Sequence, residues 1–241
     1  LSYMGDKRAT FYYYKNNMAS INYLKYKVRL DVCTSASRCK VLYLDGLNRP
    51  QNYYENILYT HGYSRPVTPT SGILLRINKD GTFEYLYTRS AIPSPGEYIL
   101  LANHDLDILN NLEPSDRIKV SIEPEISSNV DFYISGGPML LLNGQDVVFQ
   151  SCKEEYIASD IKIGDRMRTG LGIDASSNIY VFAVSYPGCT LNELAKALKN
   201  LNLKDAMLLD GGFSSILYAK GEFLVGSYAR ANISYLMFFN N

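Results

Sequence analysis

Apolar positions along this chain recur mostly at strand-like spacings, and turn residues interrupt the runs before they reach the length of a long helix. Residues 1–30 are polar and aromatic, with Tyr12, Tyr13 and Tyr14 ahead of Lys15-Asn16-Asn17, and show no sustained period of either kind. Strand-like pieces follow at 27–32 and 40–44, then a loop rich in Asn, Tyr and Pro over 46–69. Residues 72–77 and 82–87 flank Asn78-Lys79-Asp80-Gly81, a run of hairpin turn residues. Residues 98–102 read as a short apolar strand and 106–112 as a brief helix stopped by Glu113-Pro114; Ile118, Val120 and Ile122 form an alternating strand.

The second half is more regular. Residues 133–135 lead into Gly136-Gly137-Pro138, and 139–142 and 147–149 are expected to pair across Asn143-Gly144. A strand over 171–173 turns through 174–178 into another over 179–184. Thr190-Leu191-Asn192-Glu193 is a capping box, and the helix it starts carries Leu191, Leu194, Ala195, Leu198 and Leu201 on one face. That helix delivers the chain to a strand over 206–209 that ends at Asp210. Many short strands with two helices, and no internal repeat, predict an α+β fold of mixed, largely antiparallel sheets with a few packed helices. Strands ending at Leu209, Ser135 and Ala102, and one starting at Leu171, are expected to bring Asp210, Gly136, His104 and Arg168 to one edge of a shared sheet system.

With 241 residues and 46% hydrophobic content, the chain can bury a sizeable core. Lysine plus arginine and aspartate plus glutamate balance at 24 each, so no basic face tracks a phosphate polymer, and nucleic acid is not an expected partner. No apolar run approaches the length of a membrane span. A start at Leu1 without a methionine reads as a fragment or a processed form. Cys33, Cys39, Cys152 and Cys189 are too scattered for a zinc pattern; Cys33 and Cys39 either bridge a loop or remain free thiols. His61 and His104 are the only histidines, which excludes a multi-histidine zinc site, and no cofactor is required by the sequence.

Candidate chemistry concentrates where the apolar run Met207-Leu208-Leu209 is cut by Asp210-Gly211-Gly212-Phe213-Ser214-Ser215. Adjacent glycines let the backbone take positive φ and aim amides at an anion, while Asp210 ends a strand. The competing reading is a tight hairpin turn, because Asp-Gly is also a short hairpin signal. A bare hairpin needs neither the Ser-Ser pair nor a helix directed into it.

The motif order resembles the phosphodiester glycosidase family. Arg-Thr-Gly-Leu-Gly-Ile-Asp from Arg168, Tyr-Val-Phe-Ala-Val from Tyr180, Thr-Leu-Asn-Glu-Leu-Ala from Thr190 and Leu-Asp-Gly-Gly-Phe-Ser-Ser from Leu209 carry the resemblance. Gly96-Glu97-Tyr98-Ile99-Leu100 and Ser135-Gly136-Gly137-Pro138-Met139-Leu140 extend it, from Ile92 to the C-terminus. It implies a phosphodiester glycosidase-like core over 91–241, with 1–90 a divergent N-terminal part of the same compact domain. Leu208 and Phe213 stand where the family has an asparagine and a third glycine, and residues 1–90 show no counterpart of its early Asn-Gly-Gly-Phe-Phe motif.

The implied reaction is hydrolysis of a sugar-1-phosphodiester of the N-acetylglucosamine-1-phosphate type, in a setting such as a surface glycopolymer. The departing phosphate monoester has a second pKa of about 6, so strong acid assistance is less needed than in ordinary glycosides. Asp210 is the candidate carboxylate, and Arg168 the candidate bidentate phosphate clamp. Amides of Gly136, Gly137, Gly211 and Gly212, with hydroxyls of Thr169, Ser214 and Ser215, form the candidate anion cradle. His104 is a candidate acid or base, and Arg230 a candidate to close the site from the last strand. Each has a structural alternative: Arg168 as a surface arginine beside Arg166, His104 as a hydrogen-bonded structural residue, Gly136-Gly137-Pro138 as a bulge. Phe213 stacks on a sugar or on a neighbouring side chain.

Two other function classes stand beside the hydrolase. Leu208, Phe213 and the missing early motif suit a non-catalytic carbohydrate-binding or assembly module of a phage tail or bacterial surface protein. A nucleotide phosphodiesterase is least favoured by the neutral charge and scarce histidines. The resemblance favours an extracellular, cell-surface or virion-associated location.

Overall fold

The computed structural model describes residues 7–34, 39–52, 54–63, 65–69, 71–87, 89–104, 106–226 and 236–238. In chain order the first strands are β1 (Lys7–Tyr14), β2 (Ala19–Cys33), β3 (Cys39–Tyr43), β4 (Gly46–Leu47), β5 (Ile57–Thr60), β6 (Ile73–Asn78), β7 (Phe83–Tyr85) and β8 (Glu97–Ala102). After helix α1 (Leu106–Leu109) come β9 (Arg117–Pro124), β10 (Val130–Ser135), β11 (Met139–Leu142) and β12 (Gln145–Asp146). Helices α2 (Val148–Glu154) and α3 (Ser159–Lys162) precede β13 (Arg166–Asp174) and β14 (Ile179–Cys189). Helix α4 (Leu191–Asn200), β15 (Leu203–Leu208), β16 (Leu217–Ala219) and β17 (Glu222–Val225) complete the order. The fold is α+β, with sheets that are mostly antiparallel.

The chain divides into two compact units, one of residues 1–7 and 24–126, the other of residues 8–23 and 127–241. In the first, β5, β8 and β6 run antiparallel at the centre of the sheet β4-β5-β8-β6-β7. Alternate residues of these strands enter two different cores, Leu58, Leu75 and Leu100 one, Ile57, Leu74 and Ile99 the other. A sheet covered on both faces needs apolar residues at consecutive positions, which is why 99–102 is an unbroken apolar run. Cys33 and Cys39, opposite each other on β2 and β3, form a disulfide.

The second unit is built on the sheet β12-β11-β15-β13-β14. On one face, Leu191, Leu194, Ala195 and Leu198 of α4 share a core with Leu203, Ala206 and Leu208 of β15. On the other, Met139, Leu171, Ile173 and Met207 pack with Ala9, Phe11, Ala19 and Ile21. The capping box at Thr190 is complete: Glu193 N–H donates to Thr190 Oγ1, and the Glu193 carboxylate accepts from Thr190 N–H. Leu201, expected on the apolar face, is the exposed C-cap residue instead.

Three expectations are corrected. Residues 1–30 contain most of two strands; Ala9, Thr10, Phe11 and Tyr12 are all buried, so β1 shows no alternation for a periodicity reading to find. Residues 147–149 do not form the return strand, because that role falls to β12; Asp146 then accepts from Val148 N–H and the chain turns into α2. The shared sheet edge is replaced by three sheets: His104 follows β8, Gly136 follows β10 on β1, and Arg168 lies on β13 beside β15.

Glu155, just past α2, is fully buried, and its carboxylate accepts from Ala9 N–H at 2.9 Å, Met139 N–H at 2.8 Å and Ser151 Oγ. Burial pushes its pKa up, against the opposing pull of these three donors. The group joins β1, β11 and α2, whose donors have no water to turn to. Glu155→Gln turns one N–H donor toward another, so a loss of about 1–3 kcal/mol is expected in urea unfolding. An unchanged midpoint would show that this carboxylate does not brace the unit.

Candidate functional site

Asp210 is presented by the antiparallel pairing of β13 and β15. Gly170 lies opposite Leu208, and Leu209 N–H donates to the Thr169 carbonyl at 2.8 Å, so the chain leaves the sheet at Asp210. The carboxylate is exposed; its Oδ1 accepts from Gly211 N–H at 3.0 Å. Gly211 passes so close to β13 that a Cβ there would stand 3.0 Å from the Met167 carbonyl oxygen. Gly212 takes φ +62°, the conformation a glycine adopts without strain, and opens a single 3-10 turn over Gly212–Ser214. The amides of Gly212 and Phe213 make no hydrogen bond among the described residues, whereas those of Ser214 and Ser215 are used within the turn.

Two hydroxyls of the expected cradle, Thr169 Oγ1 and Ser215 Oγ, are buried without a hydrogen-bond partner among the described residues. Ser215 is only 1% exposed. A buried hydroxyl left unpaired costs free energy, so orphans of this kind call for a partner beyond the described residues, whether chain, water or ligand. Phe213 beside them is 81% exposed. The loop thus presents a carboxylate, two amides and an aromatic ring, with one buried hydroxyl of its own and another on β13.

Other expected members of the site are committed elsewhere. Successive strand residues face opposite sides of a sheet, so Arg168 and Thr169 cannot line one cradle. Arg168 is 3% exposed, and its guanidinium donates to the carbonyls of Ile161 at 3.0 Å, Gly164 at 3.3 Å and Cys189 at 3.3 Å. Burial lowers its pKa. These contacts correct the expected phosphate clamp: Arg168 braces the turn between α3 and β13. Gly136 N–H donates to the Ala9 carbonyl and Gly137 N–H to the Leu208 carbonyl, which removes both amides from the anion cradle. What the two glycines supply is close approach, since a Cβ at Gly136 would stand 2.1 Å from the Leu208 oxygen. Arg230 lies outside the described residues, and Ser214 has the 3-10 turn as its setting.

His104 belongs to the first unit. Asn56 Oδ1 accepts from the backbone amides of Asn103 and His104, which turns the Asn56 amide nitrogen toward His104 Nδ1 at 3.0 Å. Nδ1 must therefore accept, and the ring proton sits on Nε2, donated to Asp45 at 2.7 Å. Both nitrogens of a neutral ring are occupied, so the free acid or base expected of His104 is corrected to a hydrogen-bonded structural histidine. Asp45 and Asn56 lay unnoticed because their partner is distant in sequence. The same network includes Arg49, which holds Glu55 at 2.6 Å and the Asp45 carbonyl at 2.9 Å. Among the described residues no three of His, Cys, Asp and Glu gather so as to hold a metal ion.

Two outcomes test these placements. Arg168→Met removes donors from three carbonyls and should lower stability by about 1–3 kcal/mol in urea unfolding; an unchanged midpoint would return Arg168 to candidacy for the site. The Arg49 guanidinium, with Asn52, holds the Glu55 carboxyl down from 4.5 to about 2. A depressed carboxylate contributes stability that is present above the unfolded value and lost as pH falls through the folded one. The wild type should therefore lose stability relative to Glu55→Gln between pH 4.5 and about 2; parallel curves across that window would remove the pair from the account.

Three solved structures are similar to this chain over most of its length. A hypothetical protein from Synechocystis is 19% identical with a TM-score of 0.52, over 91% of this chain and 42% of its own. A Burkholderia pseudomallei protein is 18% identical with a TM-score of 0.47, over 92% and 55%. The catalytic domain of zebrafish N-acetylglucosamine-1-phosphodiester alpha-N-acetylglucosaminidase, auto-inhibited by its pro-peptide, is 13% identical with a TM-score of 0.34, over 93% and 78%. The chain thus spans about half or less of the length of the first two. No curated protein matches it. Residues 71–235, which include the Asp210 loop and the strands that present it, match a single family over more than half of the chain, and the protein belongs to the phosphodiester glycosidase family.

Proposed function

We propose that the protein hydrolyses a sugar-1-phosphodiester, with Asp210 as the working carboxylate. The observation that carries this reading is an exposed Asp210 at the end of a strand, followed by the Gly212 and Phe213 amides, which make no hydrogen bond among the described residues, in a member of this family; the buried Thr169 and Ser215 hydroxyls, also without a partner there, add to it. In the reaction, a water attacks the anomeric carbon, the C1–O bond to phosphorus breaks, and the phosphate monoester leaves with the bonding electrons. Asp210 takes the proton from the attacking water. The leaving group needs little help from an acid, because its own pKa is about 6. That agrees with a loop offering one carboxylate and several neutral donors. The Gly212 and Phe213 amides and the two hydroxyls are the donors for phosphate or sugar oxygens.

N-acetylglucosamine is the sugar we favour, and a surface glycopolymer the setting. The Cys33–Cys39 disulfide supports an extracellular, cell-surface or virion-associated location, because such bonds persist in oxidising surroundings. Balanced charge supports carbohydrate over nucleic acid as the partner. A second reading, a carbohydrate-binding or assembly module without turnover, is favoured by the commitment of Arg168 and the Gly136 and Gly137 amides to the fold.

Release of sugar from N-acetylglucosamine-1-phosphodiesters, followed for wild type and Asp210→Asn, separates the two. The substitution should lower kcat about 10²–10⁴-fold and leave the unfolding transition unchanged, since the side chain is exposed. Full turnover by Asp210→Asn would remove the residue from the mechanism. A wild type that binds the sugar but never cleaves the diester would establish the binding module.

A further inference from the structure

The site as built so far lacks a cation. Removing Arg168 from it leaves a phosphate facing only neutral donors, although a phosphate diester is charged. Arg8, at the start of β1 and partly buried, is an arginine with few commitments in the unit that carries Asp210; unlike the exposed Arg166 on β13, it is partly desolvated. Its Nη1 makes one long hydrogen bond, 3.4 Å to the Glu155 carbonyl, and no carboxylate lies within ion-pair distance among the described residues. Arg29, Arg49 and Arg76 each have a carboxylate partner at 2.6–2.7 Å. A guanidinium carries five N–H donors, so most of those of Arg8 are available.

The backbone around it is firmly placed. Ala9 N–H donates to Glu155 Oε2 at 2.9 Å, and the Ala9 carbonyl accepts from Gly136 N–H at 2.9 Å. Gly137, at φ +127°, lies close against Glu155 and beside Arg8: a Cβ there would stand 2.4 Å from Glu155 Oε2 and, at ordinary contact distance, 3.5 Å from Arg8 Nη1. Gly137 N–H is bonded at 2.8 Å to the carbonyl of Leu208, two residues before Asp210. A short run of contacts, Arg8 to Gly137 to Leu208, therefore places a lightly held cation beside the strand that delivers the carboxylate.

We propose that Arg8 binds the phosphate group of the substrate. This rests on the reading of the Asp210 loop as a sugar-phosphate site and names the residue that recognises the phosphate. A guanidinium donates two parallel hydrogen bonds to a phosphate, and the contact is strong because both partners are charged and the arginine is already partly desolvated. Glu155 acts through Arg8 and Gly137 as a positioning residue; it touches no substrate.

The experiment is a titration of N-acetylglucosamine 1-phosphate, and of free N-acetylglucosamine, into wild type, Arg8→Gln and Arg8→Lys, followed by NMR shifts or calorimetry. Arg8→Gln should weaken binding of the phosphorylated sugar about tenfold or more and leave that of the free sugar unchanged. Arg8→Lys, which keeps the charge without the planar fork, should fall between the two. Equal affinity of wild type and Arg8→Gln for the phosphorylated sugar overturns the assignment. So does a parallel loss for both sugars, the mark of a purely structural role. Should Arg8→Gln not fold, Arg8→Lys decides: affinity for the phosphorylated sugar weakened several-fold supports the proposal, and wild-type affinity overturns it. Turnover is scored separately. A wild type that cleaves the diester while Arg8→Gln binds normally overturns Arg8 alone; a chain that never cleaves but binds phosphate through Arg8 overturns the hydrolase and upholds this site.

Discussion

The second unit depends on the buried carboxylate of Glu155. Its acceptors meet donors from three elements, Ala9 of β1, Met139 of β11 and Ser151 of α2, none of them adjacent in sequence. An ionisable group in an apolar interior is tolerated only where its hydrogen bonds are supplied, so the three elements and the carboxylate require one another. The same contact sets how closely Gly137 approaches Glu155, and through the Gly137–Leu208 bond it bears on the end of β15. The position of Asp210 is thus inherited from hydrogen bonding in the interior as much as from its own loop.

Strand alternation sorts the candidates more sharply than motif membership does. Arg168 and Thr169 are neighbours in a motif and read together as clamp and cradle, but a strand sends them to opposite faces. Arg168 goes to the side covered by α3 and Cys189, where carbonyls await it; Thr169 goes to the other, and its hydroxyl finds no partner among the described residues. A chemically attractive triplet such as Arg-Thr-Gly has to be split by face before its members are assigned to one ligand.

Much of the fold was legible in the sequence where its signals are local. The capping box at Thr190, the Asn78–Gly81 turn and the Asp210-Gly211-Gly212 interruption are each written in a few consecutive residues, and each is found in place. The missed elements lacked local signals. β1 is buried across four consecutive residues, β5 lies in a segment whose Asn, Tyr and Pro content reads as loop, and α2 starts with the β-branched Val148. The contacts of Glu155 with Ala9, and of His104 with Asp45, are separated by 146 and 59 residues. No window along one chain contains them, and their roles follow only once strands are paired.

Phe213 has a consequence of another kind. Its ring is 81% exposed on a turn whose shape comes from Gly212 and from backbone hydrogen bonds at Ser214 and Ser215. No buried neighbour depends on it, so replacing it falls among surface changes that shift stability by about 0.5 kcal/mol or less. An exposed position on the loop that carries Asp210, nearly free of folding constraints, can drift through many residue types without loss of the fold. Divergence among such chains can proceed there, one side chain at a time, while Glu155 and the strands behind it stay unchanged.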